Sequence, residues 1–516
     1  MRPTYLGFEV QKRTLQLAQK NIDIVGNNIS NINTPGYTRQ RVDLYSEYVS
    51  VNSSFRWASP NSNLSMQGQG VNAYGVSQIR DIYIDRRYRE NVAVEAEADK
   101  SVNILSDIED VLDNFETDGL QYFTQQFFNS LQDYSMQTPD SSEVATICVN
   151  TAKNLCRLLN DYDKQLCEVE SMYVNELKDT IYHINNITEQ MNKLNERIKR
   201  EKIHYNEEYG PNELYDELNM FVDELATYGN IEVTENSSGT FSVKMGGMTL
   251  VDGEKFKTNR ILMKDYDTYK QAILSFESGE ELNLSSGQLK GYYDMINGNG
   301  VYATGHQNGS YGIAYFKSAV DRFARTLAGV FNSANGADED QSRRMFTTIP
   351  EDTVVTAGNI HVSSEWEKNP TMIGQVRRLD PLTGQYQYGY DEKRDEVTGE
   401  VNLQNTNVIY LISQLENSSI EFGNSHDFTG GFYEYISFIS NRLGQTIQYE
   451  TSRYDTAEVT VDGLLDARDE VSAPQMDEEG INMMNYQKWY SASSRLVTTL
   501  DELLDKLING TGRVGL

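Results

Sequence analysis

Two ladders of mostly apolar residues, one near each end of the chain, constrain the fold more than any other feature. In each ladder the residues follow at steps of three and four, which places them in one stripe along a helix, close to the spacing of a coiled-coil seam. A stripe this narrow is buried against another helix, so each ladder needs a partner. The N-terminal ladder is Phe8, Gln11, Leu15, Ala18, Ile22, Val25, Ile29 and Ile32, and the C-terminal ladder is Met483, Tyr486, Tyr490, Ser493, Val497, Leu500, Leu504 and Leu507.

The ladders alone leave two interpretations open. In the first, both are ordinary core faces of one helical domain, which is the usual role of an amphipathic helix. In the second, they serve contacts with neighbouring subunits. The segment that follows the first ladder favours the second interpretation.

That segment is rich in Asn and ends in a turn. Its four Asn side chains compete for backbone hydrogen bonds and weaken the helix, and C-terminal capping accounts for one or two of them but not for four. Thr34 precedes a proline and is therefore pushed out of the helical region, while Pro35 and Gly36 suit the central positions of a type II turn with positive φ at the glycine. We predict that the helix ends near Ile32. The four residues are Asn27, Asn28, Asn31 and Asn33.

The segment from Leu15 to Arg41 resembles the N-terminal signature of bacterial flagellar axial proteins, the family of rod, hook and hook-associated subunits. Paired Asn, a further Asn, and then Asn-Thr-Pro-Gly-Tyr carry this resemblance. The run from Asp477 to Leu507 resembles the terminal helix of the same family. Motifs between the two ends resemble the hook-associated members at the hook-filament junction, whereas residues 370–400 have no counterpart. These motifs are Gly68-Gln69-Gly70-Val71, Arg80-Asp81, Ser286-Gly287-Gln288-Leu289-Lys290, Phe331-Asn332 and Val362-Ser363-Ser364-Glu365-Trp366.

The resemblance implies a structural, non-enzymatic subunit of the flagellum that joins hook to filament by self-assembly of its terminal helices. The implied partners are further copies of the chain in a ring, hook subunits, the second hook-filament junction protein, and an export chaperone on the C-terminal helix. It also implies type III export, without a cleaved signal peptide, to the extracellular flagellum. The expected assembly-interface residues are Leu15, Ile22, Val25, Asn28, Ile29, Asn31, Asn33, Pro35, Gly36, Tyr37, Tyr486, Tyr490, Val497, Leu500, Leu504 and Leu507.

Hydrophobic periodicity predicts a mostly α fold with β-rich insertions, in the α+β class. We expect helices over about 93–115, 174–198, 311–332, 406–415 and 433–454, and a β-hairpin where apolar and polar residues alternate on either side of 236–239. The expected domains are a terminal helical, coiled-coil-like domain of 1–36 plus 476–516 and a discontinuous helical body of 37–229, 286–336 and 402–475. A small β insertion at 230–285 and a β-rich outer insertion at 337–401 complete the division.

Composition limits the partners. The chain of 516 residues has 76 acidic and 45 basic side chains and a net charge of −31, which repels polyanions. We therefore expect neither nucleic acid nor an anionic membrane surface as a partner. Cys148, Cys156 and Cys167 lack the paired short spacings of a zinc site and are expected to be small buried hydrophobes.

The sequence contains no convincing catalytic, cofactor or metal pattern. The glycines at 510–515 spell a dinucleotide fingerprint but lack the helix that such a motif needs after it, and the five histidines do not fall at metal-ligand spacing. We expect no enzyme, no cofactor and no metal. Two alternatives remain: a hook or distal-rod subunit, or, in a different class, a secreted surface adhesin or an enzyme whose active site lies in the inserted region.

Overall fold

The structure is a computed structural model that describes residues 6–46, 70–112, 119–204, 211–351, 353–379, 386–394, 401–423 and 428–510. Helices dominate these ranges. They are α1 (Leu6–Ser30), α2 (Ile82–Leu112), α3 (Leu120–Ser135), α4 (Ser142–His204), α5 (Asn212–Tyr228), α6 (Tyr266–Tyr269), α7 (Gln288–Asn297), α8 (Ile313–Ala334), α9 (Ser364–Lys368), α10 (Thr406–Leu415), α11 (Phe432–Ser472) and α12 (Met476–Asp505). None of the described helices is long and apolar enough to cross a bilayer.

The strands form small antiparallel sheets between the helices. β1 (Gln40–Ser46) pairs with β2 (Val71–Gln78), and a four-stranded meander follows α5. The meander is β3 (Ile231–Glu235), β4 (Phe241–Met245), β5 (Met248–Asp252) and β6 (Lys257–Thr258). Five two-stranded pairs complete the described set: β7 (Ile261–Met263) with β8 (Leu274–Phe276), β9 (Phe346–Thr348) with β10 (Ile360–Val362), β11 (Val376–Leu379) with β12 (Tyr386–Gly389), β13 (Asp391–Arg394) with β14 (Val401–Gln404), and β15 (Ile420–Glu421) with β16 (Thr429–Gly430). The predicted mostly α fold with β-rich insertions is confirmed.

The 63-residue helix α4 is the spine of the main hydrophobic core. Residues of α2, α3, α5, α7, α8, α10 and α11 pack in the same cluster, and α2 and α11 lie antiparallel along each other. We call this part, residues 79–475, the helical body. Its core is separate from a second, small cluster formed by Leu17, Ile24, Val42 and Val76. That second cluster belongs to the terminal unit, which we define as α1, β1, β2 and α12.

Most predicted elements are confirmed, although several are longer than expected. The helix predicted over 174–198 is the second half of α4. The helix predicted over 93–115 begins earlier, as α2, and its residues 113–115 lie outside the described residues. The helix predicted over 433–454 continues further, as α11. The hairpin around 236–239 is present as β3 and β4. The boundaries of the four expected domains stay a prediction.

One hairpin had no counterpart among the predicted elements. Residues 40–46 and 71–78, for which no element was predicted, form the β1–β2 hairpin, in which Val42 and Val76 pair across the two strands and pack onto α1. The cysteines all lie on α4 as free thiols, with Cys148 and Cys156 buried and Cys167 half-buried. Burial raises the pKa of the Cys148 thiol to about 11 and that of the Cys156 thiol to about 12, so both are inert hydrophobes at neutral pH.

Candidate assembly interface

The two ladder helices pack against each other in an antiparallel pair. A Cβ built on Gly7 would lie 3.4 Å from Leu500 Cδ1, while Asn28 near the other end of α1 bonds Glu479 near the start of α12. The start of α1 thus lies beside the end of α12, and the end of α1 lies beside the start of α12. Each ladder has the other as its partner within one subunit.

Helix α1 uses two faces, not one. On the predicted stripe Ala18 and Val25 are buried, and Leu15, Ile22 and Ile29 are half-buried. The second face carries Leu17 and Ile24, which the sequence analysis did not select, and it packs onto the β1–β2 hairpin. Their separation of seven residues is the signal that was available for this second face.

Helix α12 is only partly covered by α1. Ser493 is buried where the two helices approach closely, and Tyr486, Val497, Leu500 and Leu504 are half-buried. Tyr490 and Leu507, which were expected in the interface, are exposed in the subunit. Further apolar side chains that the ladder did not include remain between 50% and 63% exposed after α1 has packed: Ile481, Met484, Trp489, Leu496 and Leu503 on α12, and Ile508 in the π-helical turn, Lys506–Gly510, that continues it. We call these six residues the outer face of α12.

Asn28 is the polar centre of the terminal unit and is 1% exposed. Its Nδ2 donates to the Gln40 carbonyl at 3.0 Å and to Glu479 Oε2 at 3.1 Å. Its Oδ1 accepts from the Gln40 amide at 3.0 Å and from the Tyr37 hydroxyl at 2.9 Å. The amide therefore makes its full set of four hydrogen bonds, and one side chain joins α1 to β1 and to α12.

The predicted turn is present. Helix α1 ends at Ser30, two residues before the expected Ile32, and the Tyr37 amide donates to the Thr34 carbonyl at 3.2 Å across Pro35 and Gly36. Gly36 has φ of +75°, as a type II turn requires. A Cβ on Gly36 would lie 2.6 Å from Met220 Cγ and Sδ, so the turn also contacts α5 of the helical body.

The remaining Asn residues of the motif have separate roles. Asn31 donates to the carbonyl of Asn27 at 3.0 Å and to the Asn27 side chain at 2.9 Å, and it accepts from the Thr34 hydroxyl. These bonds hold the frayed end of α1 and the start of the turn together. Asn33 and Pro35 are exposed. Only one Asn of the four is thus a buried hub.

Tyr37 is held as a hydrogen-bond donor. Burial, with the nearby carboxylates of Asp216, Glu213 and Glu479, raises the pKa of its hydroxyl well above the ordinary value. The phenol therefore stays protonated and donates to Asn28 at any physiological pH. Gln40 and Glu479 complete this cluster, and the sequence analysis missed both as site residues. Glu479 gave no signal of its own because an acidic first turn of a helix usually reflects the helix dipole alone.

Packing and hydrogen bonding, and not reactive groups, characterise this site. Among the described residues, no group of three His, Cys, Asp or Glu side chains has the arrangement of a metal site. What the arrangement offers is a preformed helix pair with an uncovered apolar face.

Comparisons with known proteins agree at three places along the chain. Residues 105–345 match the family described as flagellar hook-associated protein FlgK helical domain. Residues 8–38 match the flagella basal body rod protein family, and residues 469–510 match the C-terminal family of the flagellar basal body rod FlgEFG proteins. The last two matches fall on α1 with its turn and on α12.

Relatives match along nearly the whole chain. Flagellar hook-associated protein 1 of Bacillus subtilis is 28% identical over 99% of this chain and 99% of its own length. The proteins of the same name from Salmonella typhimurium and Escherichia coli are each 23% identical over 96% of this chain and 98% of their own length. The structure of the flagellar hook junction protein FlgK from Burkholderia pseudomallei superposes with a TM-score of 0.53 and 11% identity, covering 73% of this chain and 99% of that one. This last likeness concerns the fold.

An antiparallel terminal helix pair with rod-type segments at both ends, joined to a separate helical body, is the architecture of a flagellar axial protein. Within that class, the match to the FlgK helical domain and the full-length similarity to flagellar hook-associated protein 1 indicate a hook-associated structural protein of the hook-filament junction.

Proposed function

We propose that this chain is a structural subunit that joins the flagellar hook to the filament, and that it assembles through its terminal unit. The observation that carries the proposal is the outer face of α12, whose six apolar side chains remain uncovered after α1 has packed on the other side. Exposed apolar patches rimmed by polar residues typically mark protein–protein contacts. The β1–β2 hairpin covers the second face of α1, so α12 is the side of the pair that is open to a neighbour.

The free energy gained by covering the outer face of α12 indicates how many neighbours the assembly needs. Complete burial of a large apolar side chain contributes roughly 1.5–3 kcal/mol, so covering six half-exposed ones contributes about 5–9 kcal/mol. Association of two proteins costs an estimated 4–15 kcal/mol in lost freedom. One contact through this face is therefore marginal, whereas contacts with several neighbours in a ring or tube are stable. This favours cooperative assembly over a simple dimer.

The proposed neighbours are further copies of the chain, hook subunits on one side and the second hook-filament junction protein on the other. In this arrangement the terminal unit lies inside the assembly and the 337–401 insertion faces outward. Before assembly the outer face of α12 suits an export chaperone, because any partner that covers it removes the same apolar surface from water. The proposed final location is the extracellular flagellum.

Electron microscopy of isolated flagella tests the proposal. A gold-labelled peptide tag inserted after Arg394, next to the exposed end of β13, avoids the terminal unit. We expect a thin band of label at the distal end of the hook. Label along the entire hook would instead support a hook subunit, and flagella without label would refute both.

A further inference from the structure

Two segments cross between the terminal unit and the helical body: residues 78–82, which lead from β2 into α2, and residues 472–476, which lead from α11 into α12. A third segment, residues 36–40, leads from α1 into β1 within the terminal unit and lies against both crossings. The direction of the terminal unit relative to the body depends on how these crossings are held together.

Arg39, in the segment between α1 and β1, lies between the two crossings. Its backbone amide donates to the Ser472 carbonyl at 2.8 Å, and its backbone carbonyl accepts from the Ile79 amide at 2.8 Å. One residue is thus hydrogen-bonded to both crossings.

The Arg39 side chain extends this connection into α12. Its Nε lies 2.7 Å from Glu479 Oε1, and its Nη1 donates to Glu478 Oε2 at 2.8 Å. Arg39 is 18% exposed and Glu479 only 1%, so water screens this ion pair little. The planar guanidinium contacts two successive carboxylates in the first turn of α12 at once, which a lysine ammonium on a flexible stem cannot reproduce.

Polar contacts, and not a shared apolar core, connect the two parts at this joint. The described hydrophobic clusters of the terminal unit and of the body are separate. Gln78 Nε2 donates to Asp216 Oδ1 at 2.7 Å and to the Asn212 carbonyl at 2.9 Å, and Asn212 Nδ2 donates to Gln40 Oε1 at 3.3 Å. Directional hydrogen bonds therefore specify the angle at the joint.

The end of α11 is fixed separately on the body. Arg468, one turn before Ser472, lies 3.2 Å from Asp85 Oδ1 on α2 and 2.7 Å from Asp223 Oδ2 on α5. The last turn of α11 is therefore anchored, and the freedom that remains lies in the short link of residues 473–475. Arg39 spans this link from Ser472 on one side to Glu478 and Glu479 on the other.

We propose that Arg39 is a positioning residue that fixes the direction in which α12 leaves the helical body, so that the terminal unit and the body of one subunit meet their neighbours together. The inference deepens the proposed function and rests on it only where assembly is concerned. The angle itself is a property of the isolated subunit.

Distance measurement between two spin labels tests the inference on the full chain. Ser452 on α11 and Ser491 on α12 are exposed, and Ser→Cys changes at both positions alter one atom each. The half-buried Cys167 is changed to Ser, and the buried Cys148 and Cys156 remain. Arg39→Ala should broaden and shift the distance distribution, and Arg39→Lys should narrow it again in part because one charge contact remains.

Arg41→Ala is the matched control, because Arg41 lies two residues further along β1, is exposed, and its side chain pairs among the described residues with Asp43 of its own strand. Glu478→Gln weakens only the exposed half of the Arg39 contact and leaves the buried contact with Glu479 in place, so it serves if Arg39→Ala is poorly folded. We expect broadening with Glu478→Gln that is smaller than with Arg39→Ala. Distributions for the Arg39 and Glu478 variants equal to that of Arg41→Ala would overturn the inference.

Incorporation of the same variants at hook tips, measured by immunoblot, is the second arm. The inference is supported if the variants with the broadest distance distributions are also the least incorporated. Normal incorporation of Arg39→Ala despite a broadened distance distribution overturns the link to assembly. If the unaltered chain is absent from hook tips, the proposed function fails while the distance result still stands.

Discussion

Asn28 and Glu479 lie 451 positions apart in the chain, yet their side chains share a buried hydrogen bond of 3.1 Å. Apolar ladders that repeat every three and four residues tolerate a slip of one helical turn, because each turn presents a similar surface. A buried polar pair does not tolerate it, since the slip leaves an amide and a carboxylate without partners. This bond therefore sets the register between α1 and α12.

Asn28→Asp should destabilise the terminal unit strongly. The change keeps the shape of the side chain but replaces a donor with a carboxylate next to the Gln40 carbonyl and Glu479 Oε2. With a donor lost and two acceptors brought together in a buried site, we expect a cost of about 2–5 kcal/mol. Asn33→Asp, at an exposed position of the same motif, is the control and should be neutral. Thermal unfolding followed by circular dichroism measures both; equal stabilities would mean that Asn28 is not the hub.

Leu503→Asp and Val497→Asp should separate assembly from folding. Leu503 lies on the outer face of α12, so its substitution should block incorporation at hook tips while the isolated subunit melts normally. Val497 is half-buried against α1, so its substitution should also reduce the helicity of the terminal unit. Circular dichroism of the monomer and microscopy of filaments distinguish the two. Normal filaments with Leu503→Asp would exclude the outer face as the contact surface.

Gly36→Val should impair assembly more than Ser30→Ala does. The valine must adopt φ near +75° and its Cβ meets Met220, whereas Ser30 is exposed and its hydroxyl donates to the Gly26 carbonyl of its own helix. A left-handed backbone at a non-glycine residue costs roughly 1–2 kcal/mol. Adding Met220→Ala relieves the contact but not the backbone strain, so this double variant should recover only part of the loss of incorporation. Full recovery would show that the contact alone matters.

Glu95→Gln should stabilise the helical body at neutral pH. Burial, with the carboxylates of Glu458, Asp462 and Asp99, raises the pKa of Glu95 above its ordinary value of 4.5. The folded chain therefore holds this proton more tightly than the unfolded chain, and the stability it contributes below pH 4.5 is lost as the pH rises. Denaturant unfolding at pH 7 should give a higher free energy of unfolding for the variant than for the unaltered chain. This difference should disappear below the pKa that the Glu95 carboxyl has in the unfolded chain. Glu90→Gln, which breaks an exposed pair with Arg86, should show no such gain.

Removal of both ladders should leave the body folded. A chain of residues 37–475 retains the main core around α4, which contains no residue of α1 or α12. Val42 and Val76 lose the cover of α1, so we expect the β1–β2 hairpin to melt first. Differential scanning calorimetry should still show a cooperative transition for the body. Its absence would mean that the ladders belong to the core of a single domain.

The sequence predicted the features that repeat along the chain or rely on local chemistry. Both ladders, the positive φ of Gly36 and the hairpin of β3 and β4 follow from spacing and turn residues, which act over a few positions. The β1–β2 hairpin was missed because its strands are joined by a long connection without a short turn signal. Pairing across such a distance depends on the tertiary surface that α1 offers to Val42 and Val76.

The polar part of the candidate site was harder to predict. The resemblance drew attention to Asn28, but the sequence could not reveal that it bonds Gln40 and Glu479, since partners so distant in the chain leave no periodic signal. Nor could it reveal which apolar residues of α12 remain uncovered. Leu500 and Leu503 are equally apolar, and only the position of α1 makes the first half-buried and the second exposed.

The antiparallel pairing of α1 and α12 also determines the order in which the terminal unit can form. The ribosome produces α1 well before α12, and at roughly 5–20 residues per second the wait between them is on the order of a minute. During that wait the β1–β2 hairpin, which follows soon after α1, can shield Leu17 and Ile24, but the stripe with Ala18 and Val25 has no partner. The helix pair can therefore form only in a chain that contains α12, because a chain truncated anywhere before α12 leaves the stripe of α1 uncovered.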